Sequence, residues 1–146
     1  LKEKIFIDSD VILDVILERQ PHFENSQRIL AYIENNIFNG YTSSLILSNC
    51  FYIINNKKNK DAALKAIRKL RSILTILSFT DKEIGESINS SFTDFEDGIQ
   101  YFICINNDLP TLITRNIKDF KKSNINIFTP KEYLNLEDIK NTIEAK

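Results

Sequence analysis

The segment Ile5-Phe6-Ile7-Asp8-Ser9-Asp10, running straight into Val11-Ile12-Leu13, limits the possible folds more than any other stretch of the chain. A short apolar segment of this kind suits a strand buried on both faces, as strands of parallel sheets are. It stops on two acids and continues as an apolar helical pattern. In a parallel α/β sheet, that strand-to-helix step lies on the edge where ligands bind.

Four further apolar segments read as strands, Gly40–Ser43, Thr75–Phe79, Thr111–Thr114 and Asn126–Phe128, beside Lys4–Ile7. Helical patterns fall between them at Asp10–Arg19, Pro21–Phe38, Leu45–Asn55, Asp61–Ser72, Asp81–Ser90 and Asp94–Asn106. This alternation predicts an α/β fold, a three-layer α/β/α sandwich around a central parallel sheet of four to five strands. With 146 residues the expectation is one domain over residues 1–134, then a polar tail or solvated helix over 135–146. The polar block Asn55-Asn56-Lys57-Lys58-Asn59-Lys60 reads as a turn.

A net charge of −1 means bulk electrostatics do not attract nucleic acid, so any polyanion must be held by local basic groups or a metal. Cys50 and Cys104 lie in apolar contexts without a Cys-x-x-Cys spacing and read as buried thiols of a reducing compartment. The chain has no 18-residue apolar run and no signal-peptide layout, so a cytoplasmic location is expected and a membrane partner is not. There is one histidine, His22, and no glycine-rich phosphate loop or nucleophile elbow, which disfavours histidine-based and dinucleotide chemistry.

The acids are the chemical signal. Asp10 stands where a helix N-cap belongs, and capping explains it as well as function does. Asp8 sits at the strand end, where a carboxylate is expensive unless paired or metal-bound. Thr93 and Glu96 fit a capping box, whereas Asp94 and Asp97 share one side of a helix greasy all round, so that Asp97 points into a pocket. Asn116 follows the fourth strand as a turn residue or an oxygen ligand, and Asp119 reads as a solvated or capping residue. Arg115, Lys118, Lys121 and Lys122 form either a phosphate-binding rim or a solvated basic turn. If these edges converge, an oxygen-rich pocket suits a hard cation such as Mg²⁺.

Four segments in order carry a resemblance: Ile5–Asp14, Thr42-Ser43-Ser44 with Asn49–Ile54, Asp94–Gln100 and Ile113–Phe120. Together they resemble a PIN domain, most closely the branch of VapC-type toxins, over roughly Lys4 to Leu134. The resemblance implies a ribonuclease dependent on Mg²⁺ or Mn²⁺, RNA as substrate, a homodimer, and a cognate antitoxin protein. It implies Asp8, Asp97 and Asn116 as catalytic residues, and with Asp94 added from its place beside Asp97 the expected metal ligands are Asp8, Asp97 and Asp94. On the ribonuclease reading Asp10, Asn49 and Asp119 are expected as auxiliary residues, and Arg115, Lys118 and Lys121 as contacts to the RNA backbone. Asn49 and Asn116 occupy positions that are usually acidic, which predicts weaker metal binding and reduced activity.

Two alternatives stand beside it. A PIN-like scaffold weakened by those two amides would bind RNA or a protein without cleaving. The run Asp8-Ser9-Asp10-Val11 also resembles the opening motif of haloacid-dehalogenase-like phosphatases. That reading requires a later strand ending in paired acids, and Asp94 and Asp97 have no evident strand before them.

Overall fold

The computed structural model describes residues 2–120 and 123–144. Five strands, β1 (Lys4–Ile7), β2 (Asn39–Ser43), β3 (Thr75–Leu77), β4 (Thr111–Ile113) and β5 (Asn126–Phe128), form one sheet in the order β3-β2-β1-β4-β5. Every pairing is parallel. Among the described residues seven helices flank it: α1 (Ser9–Ile16), α2 (Phe23–Glu34), α3 (Ser44–Lys57), α4 (Lys60–Ile73), α5 (Asp81–Ile88), α6 (Phe95–Asn106) and α7 (Pro130–Glu144). A 3-10 turn covers Ile117–Phe120. Ile5, Phe6, Ile7, Leu112 and Ile113 are wholly buried, because the two central strands are covered on both faces.

The order of strands decides where a site can lie. The chain begins in the middle at β1, adds β2 and β3 on one side, then crosses to β4 and β5 on the other. The crevice of such a sheet opens at the C-terminal ends of β1 and β4, where the direction of winding reverses. Ile7 pairs with Ile113, and the Asp8 N–H still donates to the Ile113 carbonyl at 3.0 Å, so Asp8 and Thr114 emerge side by side.

Local chemistry explains where the structure departs from the periodicity. The polar block at 55–60 is mostly helix: α3 runs to Lys57, and Asn59 caps α4 by accepting the Ala62 N–H at 2.8 Å. Only Lys58 and Asn59 separate the helices. The second helix stops at Glu34 rather than Phe38 because Asn36 takes a φ of 61°, a left-handed conformation that asparagine tolerates. The segment after Pro130 is a helix but not a wholly solvated one. Thr129 and Glu132 cap it reciprocally, and Tyr133 and Leu134 are buried, with Tyr133 stacked edge-on against Phe38. A boundary at residue 134 therefore falls within one helix whose first turn belongs to the core.

Two packing details set the position of α6. A β-carbon on Gly98 would collide with Ser87 on α5, so glycine lets these helices touch. The Ser87 hydroxyl also donates to the Phe95 carbonyl at 2.8 Å, which anchors the first turn of α6. α1 is interior, with Val11, Ile12 and Leu13 buried. α3 leaves Tyr52 and Ile53 exposed. Cys50 and Cys104 are both buried free thiols.

Candidate active site

Asp8 closes β1 and opens α1. Its Oδ1 accepts the Ser9 N–H at 2.8 Å, which makes Asp8 the N-cap of α1. Asp10 is one turn position further in, not the cap the spacing suggested, because the helix starts at Ser9. The other Asp8 oxygen accepts the Thr114 hydroxyl at 2.8 Å, and that hydroxyl in turn accepts the Asn116 N–H at 3.0 Å. Asp8 is only 6 % exposed. Burial, and after it the charge of Asp10, pushes its pKa from 3.8 up to about 6 against the pull of those hydrogen bonds.

Asp10 bridges the same edge from the helix side. Its Oδ2 accepts the Arg115 N–H at 2.9 Å, while its Oδ1 is buried with no hydrogen-bond partner among the described residues. Burial raises its pKa as well. An orphaned carboxylate oxygen beside a second buried carboxylate is a costly arrangement that a cation would relieve.

The third contribution comes from α6. Asp94 is its N-cap and accepts the Asp97 N–H at 3.0 Å, so the expected Thr93–Glu96 capping box is absent. Reciprocal boxes instead belong to Thr80 and Glu83 at the start of α5, and to Thr129 and Glu132 at the start of α7. Asp97 rises to about 7, first through burial and then through the charges of Asp94, Asp8, Asp119 and Asp10. Acids from separate chain segments thus share one electrostatic field. Asp119, which the sequence suggested was solvated, is exposed yet acts on both Asp8 and Asp97. The α6 helix is less enclosed than its apolar pattern implied, since Phe95 is 48 % exposed.

Asn49 on α3 reaches the same neighbourhood. Its Nδ2 donates to Glu96 Oε2 at 3.3 Å, tying α3 to the first turn of α6. Glu96, assigned to a cap from sequence, instead sets a carboxylate beside this amide. Asn116 is exposed and lines, with Arg115, Lys118 and Asp119, a surface cavity of about 420 Å³. Lys121 and Lys122 lie outside the described residues. Among the described residues, no three His, Cys, Asp or Glu side chains already converge closely enough to hold an ion. The acids share a field without a finished coordination shell. Their all-oxygen donors and the orphaned Asp10 oxygen nevertheless fit the chemistry of a hard divalent cation.

One buried acid went unremarked in the sequence. Asp14 on α1 is 0 % exposed. It accepts from Arg115 through Nε (2.8 Å) and Nη2 (3.0 Å), from Arg19 Nε (3.0 Å) and from the Ser26 hydroxyl (3.3 Å). Arg19 also donates to the Asp10 carbonyl at 3.1 Å. An acid inside the apolar run Val11–Leu17 was the available signal, since such a charge must find partners. The network corrects the picture of Arg115 as a free rim residue, because two of its guanidinium nitrogens are spent on Asp14.

Acids projecting from the winding reversal of a parallel sheet, backed by a buried aspartate that two arginines clamp, define a small α/β phosphate-chemistry scaffold. Residues 4–118 match the PIN domain, and the chain belongs to that family. It is 30% identical over 136 residues to Ribonuclease VapC1 of Aquifex aeolicus, covering 90% of this chain and 93% of that protein. Its fold is similar to VapBC2 of Rickettsia felis, solved bound to a promoter DNA fragment, with a TM-score of 0.64 at 19% identity, covering 86% of this chain and 96% of the other. It is similar also to Mycobacterium tuberculosis VapC20, a toxin that cleaves the sarcin–ricin loop, with a TM-score of 0.61 at 13% identity over 74% and 86% of the two chains. No strand leads into Asp94 and Asp97, which removes the feature a haloacid-dehalogenase-like phosphatase requires.

Proposed function

We propose that this protein is a metal-dependent endoribonuclease that hydrolyses RNA phosphodiester bonds and is the toxin of a type II toxin–antitoxin pair. The observation that carries the reading is the common field of Asp8, Asp10, Asp97 and Asp119 at the β1–β4 crevice of a PIN-domain chain. The likeness to Ribonuclease VapC1 supports the choice of RNA. We further propose a cytoplasmic location, a homodimer and a neutralising antitoxin. Among the described residues, no helix is long and apolar enough to cross a membrane.

Asp8, Asp97 and Asp94 would hold Mg²⁺ or Mn²⁺, with Asp119 adding charge and Asn116 an uncharged oxygen. The ion would supply an acidified water and a counter-charge for the phosphate. The chain's own residues do the orienting. Thr114 fixes the Asp8 carboxylate through its hydroxyl, and the Arg115 N–H fixes Asp10. Lys118, exposed on the 3-10 turn, offers the backbone a positive contact that holds RNA without selecting its sequence. Asn49 lacks the charge an acid would bring, so affinity for the ion is weaker than a full carboxylate set would give, and Glu96 beside it restores part of that charge.

The test is RNA cleavage in Mn²⁺ by the wild type, Asp8→Asn and Asp97→Asn. Each variant is expected to lose at least about a hundredfold in rate, since an ion's charge stabilisation is worth several kcal/mol. Each should fold normally by circular dichroism. Equal cleavage by all three would end the nuclease reading. RNA binding without cleavage by the wild type would favour the weakened scaffold that Asn49 and Asn116 suggest.

A further inference from the structure

We propose that a second cavity, of about 390 Å³, is a phosphate subsite for the RNA strand, with Arg115 and Lys131 as its cationic groups. It lies between the α1–α2 connection, the end of β4 and the start of α7, and is lined by His22, Asn25, Ser26, Arg115, Thr129 and Lys131 together with two prolines. No aspartate or glutamate lines it, in contrast to the acid pocket on the other side of Arg115. Guanidinium, ammonium, amide and hydroxyl groups around one hollow are the donors that recognise phosphate oxygens. The volume is within the range of pockets that accept small polar ligands.

Arg115 is what makes this more than a solvated dent. Asp14 holds its guanidinium by Nε and Nη2, which leaves Nη1 as the nitrogen not engaged by that carboxylate. The same carboxylate serves Arg19 as well, so Asp14 does not neutralise Arg115 alone, and Lys131 adds a second cation to the cavity wall. Arg115 is 28% exposed at its side chain and also lines the cavity formed with Asn116, Lys118 and Asp119. It is therefore a wall common to both hollows. A strand whose scissile phosphate sits at the acids can lay a neighbouring phosphate across Arg115 toward Lys131. The inference rests on the ribonuclease reading for its substrate, but its consequence is measured by binding alone.

The experiment is fluorescence anisotropy of a short labelled single-stranded RNA, in EDTA, titrated at several KCl concentrations. The proteins are the wild type, Lys131→Glu, Lys131→Ala and, as a control, Lys82→Glu. Lys82 is exposed on α5, beside Glu83, which contacts Asn106 at the far end of α6 from Asp97. Losing one phosphate contact should lower the slope of log K against log[salt] by about 0.7 for Lys131→Ala, and weaken binding further for Lys131→Glu. Lys82→Glu should match the wild type. Equal slopes for wild type and both Lys131 variants would overturn the subsite, as would an equal loss in Lys82→Glu or a wild type that binds no RNA at low salt. A wild type that binds through Lys131 but never cleaves in Mn²⁺ would overturn the ribonuclease reading and uphold the subsite.

Discussion

Asp8 and Asp14 stand six residues apart in one strand-to-helix segment, both buried, and they have opposite surroundings. Asp14 is saturated: two arginines and a serine donate to it. Asp8 receives one backbone N–H and one hydroxyl, and its strongest charged influence is another acid, Asp10. Burial alone therefore does not mark a reactive carboxylate. What marks it is charge that the protein has left uncompensated, which protons or a cation can relieve.

The strongest way to break this contrast is to remove the saturated acid. Asp14→Ala should cost about 3–5 kcal/mol of stability, at the lower end because both arginines can turn partly into water. Urea denaturation measures it, and a loss under 1 kcal/mol would show that the clamp is ornamental. Asp8→Asn should instead leave stability equal or raised, because it deletes a charge the fold pays to bury.

The pH dependence sharpens the same contrast. Asp8 titrates near pH 6 and Asp97 near pH 7, both above the ordinary 3.8. Between those limits the folded state holds more protons than the unfolded chain, so stability must fall as pH rises from about 4 through 7. In EDTA, the melting temperature of the wild type is expected to be higher at pH 5 than at pH 8. The Asp8→Asn, Asp97→Asn double variant should show a flatter profile over that interval. Identical profiles for the two proteins would contradict the uncompensated field.

A smaller effect separates cap from ligand at Asp94. Asp94→Ala should lose about 0.5–2 kcal/mol, the value of a helix N-cap. Asp94→Asn keeps a capping oxygen and should retain stability while weakening the thermal shift produced by Mn²⁺. If both variants shift with Mn²⁺ as the wild type does, Asp94 is a cap and nothing more.

Much of this architecture could be read from periodicity. The segments Lys4–Ile7 and Asn126–Phe128 are strands with those very ends, since short apolar runs between polar breaks have few other solutions. Helix ends were less legible: whether Asp8 or Asp10 caps α1, or Thr93 or Asp94 leads into α6, depends on a single residue's φ and ψ. Asp8 and Asp97 stood out because acids at the ends of apolar elements are conspicuous. The role of Asp14 was not legible because its partners Arg19, Ser26 and Arg115 lie 5, 12 and 101 positions away in the chain. Asp119 looked like a surface residue, and it is one, but its charge reaches across the crevice.

Sequence alone determined the βα alternation and the acids available to a pocket, because local hydrophobic pattern and side-chain type are properties of short segments. Tertiary structure decided which acids would face one another and which would be neutralised. Coulombic interaction and hydrogen bonding depend on distance in space, and only the β1–β4 pairing and the close approach of α5 to α6 set those distances.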